Sequence, residues 1–282
     1  MHYQQQKNDL IVSGVRDFDL ARTLESGQCF RFTPHPAGGY EGVAQGRPLR
    51  VAQQGDSLTF YQMTRQEFKA LWLDYFDLAR DYGALRALMC QDPVLRRAAD
   101  FAPGIRILQQ DGWEALCSFI ISQNNNIGRI RGIVQRLCEH FGSPLPGGHH
   151  DFPPPQALAG LTPEDLAPLR CGFRARYILD AAAKVASGQV DLEAIKSLPL
   201  EQAQAELCKI VGVGPKVAQC ALLFGFGRIE CFPVDVWIGR AMKSLFPQGL
   251  PPETLPYAGI VQQYIFHYVR LDPQALAQPA GK

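Results

Sequence analysis

The sequence predicts an α+β fold, with an N-terminal antiparallel β-sheet followed by a mostly α-helical, two-domain body. Three observations predict it. Short apolar runs divided by turn formers fill residues 10 to 63, the pattern of paired strands. From Thr64 onward the apolar residues recur at helical spacing instead. The chain has 282 residues, 46% hydrophobic and 20% charged, which suits a large buried core in one to three domains.

The strand runs are FRFTP (30–34), GYEGVAQG (39–46), PLRVAQQG (48–55) and SLTFYQM (57–63). Ala37-Gly38-Gly39 and Gly55-Asp56 separate them, so an antiparallel meander is expected. Thr64 is placed to cap a helix, with Glu67 completing a capping box. Phe68, Leu71, Trp72, Tyr75 and Phe76 follow at helical spacing. Trp113 to Ser122 reads as one apolar helix, interrupted by Gln123-Asn124-Asn125-Asn126. A second helix carries Ile127, Ile130, Val134, Leu137 and Phe141 on one face. Residues 142–155, GSPLPGGHHDFPPP, form a Pro/Gly loop. Thr162-Pro163-Glu164-Asp165 predicts a helix with proline at its first position. Ala-rich Tyr177–Ser187, then Leu200–Lys209, Lys216–Phe226, Val236–Phe246 and Leu255–Val269 complete the set. The expected division is a sheet domain with flanking helices over 1–100 and a helical region over 101–282.

Bulk charge excludes the simplest route to a function. Formal net charge is +1, so composition alone does not announce a nucleic-acid partner. No apolar run reaches the ~18 residues of a membrane span, and MHYQQQKNDL lacks a signal-peptide stretch. The expectation is an intracellular protein with no membrane partner. Eight cysteines, at 29, 90, 117, 138, 171, 208, 220 and 231, are scattered without a CxxC pair. Free thiols in a reducing compartment fit this best, and the spacing argues against zinc or an iron–sulfur cluster.

The strongest local signal is LCKIVGVGPKVAQCALLFGF (207–226). Two apolar helices flank a five-residue loop containing Gly212, Val213 and Gly214. Such a loop ends at a helix N-terminus, whose outward N–H groups can cradle a phosphate without a basic side chain. The same shape also serves as a plain tight turn between helices. Lys216 opens the second helix, where the dipole disfavours a cation and so favours the neutral amine that a nucleophile needs. A lone lysine is more often a solvated surface group. Against that stands Phe232-Pro233-Val234-Asp235-Val236-Trp237, about twenty residues on. Asp235 can be a helix N-cap or the carboxylate partner of a hairpin lysine.

GVGPKVA followed by PVDVW resembles the helix-hairpin-helix DNA glycosylases, and the lysine marks the subset with lyase activity. Three further motifs narrow the resemblance to the 8-oxoguanine DNA glycosylases over nearly the whole chain. Ser118 to Ile127 resembles that family's Asn-rich break, Cys171-Gly172-Phe173-Arg174-Ala175-Arg176-Tyr177 its Gly-aromatic-Arg-Ala-Arg segment, and Ser26-Gly27-Gln28-Cys29-Phe30-Arg31 its pocket loop. The resemblance implies an active site in the cleft between helical subdomains, with Lys216 as nucleophile and Asp235 as essential carboxylate. It implies that Asn124 fills the gap left by an extruded base, that Arg129 and Arg174 bind the orphaned cytosine, and that Phe173 wedges the duplex. Gln262 and Phe266 would read and stack on the base, Cys220 would pack on it, and Gly27 would offer its carbonyl to N7–H. Guanine N7 is an acceptor and 8-oxoguanine N7–H a donor, so one fixed carbonyl attracts the lesion and repels the normal base. Two positions depart from many eukaryotic members, which carry Tyr at Phe173 and His at Trp237.

The resemblance further implies duplex DNA containing 8-oxoguanine as partner, no cofactor and no metal, and a monomer. It places the chain with cytoplasmic nucleoid DNA in a bacterium or in a eukaryotic nucleus. Three other readings stand beside it. They are a helix-hairpin-helix glycosylase for another damaged purine, a non-catalytic DNA-binding module, and a metal hydrolase using His149-His150. Adjacent histidines in a Pro/Gly loop face different ways, which weighs against the last.

Overall fold

The computed structural model describes residues 1–277. Its strands are β1 (His2–Gln6), β2 (Asp9–Ser13), β3 (Phe32–Pro34), β4 (Tyr40–Ala44), β5 (Arg47–Gln54) and β6 (Ser57–Phe60). The longer helices are α1 (Leu20–Glu25), α2 (Tyr82–Met89), α3 (Pro93–Phe101), α4 (Gly112–Ser122), α5 (Ile127–Phe141), α6 (Arg174–Ala186), α7 (Leu200–Leu207), α8 (Pro215–Gly225), α9 (Val236–Leu245) and α10 (Ala258–Leu271). The chain forms two compact units. One holds residues 1–28, 52–109 and the chain from Arg228 on; the other holds 29–51 and 110–227.

The sheet order is β1-β2-β6-β5-β4-β3. The expected meander is present as β3 to β6. The hairpin of β1 and β2 extends it, with β1 in antiparallel register on β2 (Tyr3↔Val12) and β2 on β6 (Ile11↔Thr59). β1 was not expected, because Tyr3 is its single half-buried residue and a polar edge strand shows no alternation. Tyr3 packs on Phe68 at 5.8 Å between centroids.

In the first unit, Leu10, Val12, Leu58 and Phe60 are buried with Phe68, Trp72, Phe76 and Leu95. The capping box at Thr64 is formed. Thr64 Oγ1 accepts the Glu67 N–H at 3.2 Å and Glu67 Oε2 accepts the Thr64 N–H at 2.9 Å. The helix it starts contains one wide π turn over Phe68–Trp72. In the second unit α4 crosses α8 at a backbone contact. A Cβ on Gly225 would lie 2.7 Å from Ala115 Cβ and 2.9 Å from Gly112 Cα.

One expected helix is a correction. After Thr162 the chain makes turns and a short 3-10 segment, Ala167–Leu169. Thr162 and Asp165 form their cap, with Asp165 Oδ2 accepting the Thr162 N–H at 2.8 Å. Pro168 stops the helix, since it lacks an N–H and would clash with the preceding turn. Pro256 acts likewise, so the last helix begins at Ala258 rather than Leu255.

None of the eight cysteines is joined in a disulfide among the described residues. Burial pushes the Cys29 and Cys138 thiols up to about 12 and also raises Cys117, Cys171 and Cys208. Among the described residues no helix is long and apolar enough to cross a membrane.

Candidate active site

The residues singled out by sequence lie on both units. Lys216, Cys220, the hairpin, Asn124, Arg129, Phe173 and Arg174 belong to the second. Gly27, Asp235, Gln262 and Phe266 belong to the first.

The hairpin joins α7 to α8. Gly212 has φ +80 and lies against Tyr177, whose ring would meet an added Cβ at 2.4 Å. Asp180 and Lys184 of α6 hold the bend. Asp180 Oδ2 accepts the Val211 N–H at 2.7 Å, and Lys184 Nζ donates to Lys209 O at 2.6 Å. The Val213 N–H closes the turn onto Ile210 O at 3.0 Å. Among the described residues the N–H groups of Gly212 and Gly214 have no partner, and N-cap Gly214 supplies α8 with no side-chain cap. The bend therefore presents uncapped donors at the positive end of a helix.

Lys216 is half-buried in the first turn of α8. Its Nζ stands 5.8 Å from the centroid of Phe119. Phe119 stacks on Phe224 at 5.2 Å and meets Phe30 edge-on at 6.1 Å. No carboxylate of this unit pairs with the amine, and the ring of Phe119 lies beneath it as an aromatic floor. Phe119 lies in the Ser118–Ile127 segment, where nothing in the sequence separates it from the other core residues of α4. Cys220, one turn along α8, is buried.

The Asn triplet divides its work. Asn126 Oδ1 caps α5 through the Arg129 N–H at 2.9 Å, and Asn125 Nδ2 donates to Ile121 O at 3.2 Å. Asn124 is exposed with φ +48, a left-handed conformation that asparagine tolerates better than most residues. Arg174 is buried behind it. Its guanidinium donates to Gln123 O, to Asn124 O at 2.9 Å and to Cys171 O at 3.2 Å. In this structure Arg174 thus holds the Asn124 loop, while Arg129 is exposed. Phe173 is 44% exposed, a large apolar ring left in solvent, with Arg174 Cζ 4.4 Å over one side.

His149 is committed elsewhere, with Nε2 2.9 Å from Glu41 Oε1, and the His150 carbonyl accepts from Arg31. Arg31 also pairs with buried Glu114 at 3.1 Å. Burial pushes the Glu114 carboxyl up to about 7 against the pull of Arg31.

In the first unit Asp235 is the N-cap of α9, its Oδ1 accepting the Ile238 N–H at 2.8 Å. Val234 and Val236 on either side are exposed. Arg240 Cζ stands 5.4 Å over the Trp237 ring. Gln262, 6% exposed, donates from Nε2 to Pro233 O at 3.1 Å. Among the described residues its buried Oε1 has no hydrogen-bond partner, an arrangement that costs about 1–3 kcal/mol unless something donates to it. One turn on, Phe266 is half-buried beneath Arg270, 5.6 Å away. Gly27 has φ +84 and is half-exposed.

Known proteins are similar to this chain along most of its length. The profile of the 8-oxoguanine DNA glycosylase N-terminal domain matches residues 10–116, and that of the HhH-GPD superfamily base excision DNA repair proteins matches residues 117–251. A solved structure of MBOgg1 in complex with a low affinity DNA ligand is 40% identical, covering 96% of this chain and 99% of that one, with TM-score 0.89. The Clostridium acetobutylicum 8-oxoguanine glycosylase/lyase, in complex with duplex DNA containing cytosine opposite 8-oxoguanine, is 36% identical over 97% of this chain and 99% of that one, with TM-score 0.90. The N-glycosylase/DNA lyase of Saccharomyces cerevisiae is 37% identical over 50% of this chain, and the match spans 41% of that relative's length. The chain belongs to the 8-oxoguanine DNA glycosylases of the HhH-GPD superfamily of base excision DNA repair proteins.

Proposed function

We propose that this chain is a bifunctional DNA repair enzyme that extrudes 8-oxoguanine from duplex DNA, excises it opposite cytosine, and then cuts the strand through a Schiff base on Lys216. The observation that carries the reading is Lys216 itself, in the first turn of a helix behind an uncapped hairpin and over an aromatic floor. The Clostridium enzyme, similar along its whole length, is a glycosylase/lyase solved with cytosine opposite the lesion. The unpartnered Gln262 Oε1 suits the donors on a purine edge.

The target sugar is hidden in a stacked duplex, so the nucleotide must first be turned out at a cost of a few kcal/mol. The Gly212–Gly214 bend holds phosphates, Asn124 and Phe173 fill and wedge the gap, and Arg129 and Arg174 hold the orphaned cytosine. Arg174 must release its loop carbonyls to do so. Gly27 O, Gln262, Phe266 and Cys220 surround the base. The lone pair of Lys216 Nζ forms a bond to C1′ as the C1′–N9 bond breaks, and the base leaves with the proton that Nζ gives up. Asp235 stabilises the positive charge on the sugar. The opened sugar is a Schiff base on Lys216, and loss of a C2′ proton expels the 3′ phosphate. The enzyme acts where the DNA lies, in the bacterial cytoplasm or a eukaryotic nucleus.

Borohydride reduction during turnover should leave a covalent protein–DNA adduct, and Lys216→Gln should abolish it. An adduct formed by the Gln variant would remove Lys216 from the role. The same assay on duplexes with each base opposite the lesion should favour cytosine over adenine. Equal rates would overturn the assignment of Arg129 and Arg174.

A further inference from the structure

The segment Ser26-Gly27-Gln28 is pinned on both sides of its glycine. Ser26 and Gln28 are each 1% exposed. The Gln28 amide donates to Thr23 O at 2.9 Å and Arg106 O at 2.8 Å, and accepts the Leu108 N–H at 2.8 Å. The Ser26 carbonyl is held from far along the chain, by Gln263 Nε2 of α10 at 3.0 Å. Gln263 is itself buried, 3% exposed. An apolar side chain would fill that face of α10 without the cost of burying an amide. The glutamine gains one thing a leucine or methionine lacks, a donor aimed at a single peptide plane.

That plane precedes Gly27, and the anchored Gln28 follows it. A free glycine sweeps its carbonyl through a wide range of directions. With both neighbours fixed, the direction of the Gly27 carbonyl is fixed too. The preceding residue of the same helix, Gln262, donates to Pro233 O, so two consecutive glutamines brace two loops of this unit. We infer that Gln263 is a positioning residue for Gly27, setting the carbonyl that separates 8-oxoguanine from guanine. This rests on the role given to Gly27 in the proposed function.

The test uses Gln263→Met, which keeps the bulk and removes the donor, and Gln263→Glu, which regains a donor only when protonated. Three rates are read on the full chain: excision of 8-oxoguanine, excision of guanine, and cleavage of a pre-formed abasic site, which needs Lys216 and no base. With Gln263→Met, excision of 8-oxoguanine should fall about tenfold and discrimination against guanine should narrow, while abasic cleavage stays within about twofold. With Gln263→Glu the same loss should appear near pH 8 and shrink, relative to the parent at the same pH, as the carboxyl takes up its proton in mild acid. Parental excision rates in both variants overturn the inference. So does a parallel loss of abasic cleavage, the mark of a merely structural role. Should the Met variant fail to fold, the Glu variant decides by the same criteria. A parent that cleaves abasic sites but leaves 8-oxoguanine untouched sinks the proposed substrate instead.

Discussion

Asp235 both caps α9 and carries the charge assigned to the reaction, and one substitution separates these tasks. Asparagine caps a helix about as well as aspartate, so Asp235→Asn should melt within about 0.5 kcal/mol of the parent and keep its affinity for a lesion duplex. Base release should slow at least about a hundredfold. Unchanged single-turnover rates would leave Asp235 with the cap alone. The lysine and this aspartate stand out in the sequence because a hairpin and a spacing single them out. The residues that hold others in place do not. Gln263 sits in an amphipathic helix where any glutamine looks solvated, and only the fold brings Ser26 to it. Gln28 lies in a motif that sequence could match, but its three backbone contacts come from distant residues.

Among the elements, the hairpin was the most legible, because two glycines between apolar helices leave few other structures. Its two glycines are expected to behave differently. An alanine at Gly212 would meet Tyr177 at 2.4 Å in a left-handed conformation and should cost at least about 2 kcal/mol. An alanine at Gly214 meets nothing within 4 Å and should cost about 1 kcal/mol as a poorer cap. If the bend grips a phosphate, that new methyl stands where the anion approaches. Gly214→Ala should then weaken duplex binding about tenfold without unfolding the protein. Parental affinity, read by fluorescence anisotropy, would show that the hairpin is only a turn. The sheet was half legible. Its alternating inner strands announce themselves, while β1 is polar and gains its place from pairing. The helix expected after Thr162 failed on a competing signal, since the start was sound and Pro168 ended it.

On the scale of the whole molecule, a near-neutral chain must bind a polyanion by placing donors rather than by bulk charge, which is why composition was silent. Stability against pH carries one distinct signature. The Glu114 carboxyl keeps its proton up to about pH 7 in the folded protein against an ordinary 4.5. The folded state therefore binds more protons between those values, and this group makes stability fall as pH rises from about 4.5 to about 7, then level off. Glu114→Gln should flatten that slope and, near pH 8, destabilise by about 3 kcal/mol, because it leaves the buried Arg31 guanidinium without its carboxylate. An unchanged melting temperature at pH 8 would mean that the cost of burying the carboxylate cancels the pair.

The buried thiols have a consequence of their own. Peroxides attack the thiolate rather than the thiol, and in Cys29, Cys117, Cys138 and Cys171 burial favours the protonated sulfur. A catalyst for repairing oxidised guanine must survive the oxidants that made it, and in these four positions the fold disfavours the form of sulfur they consume.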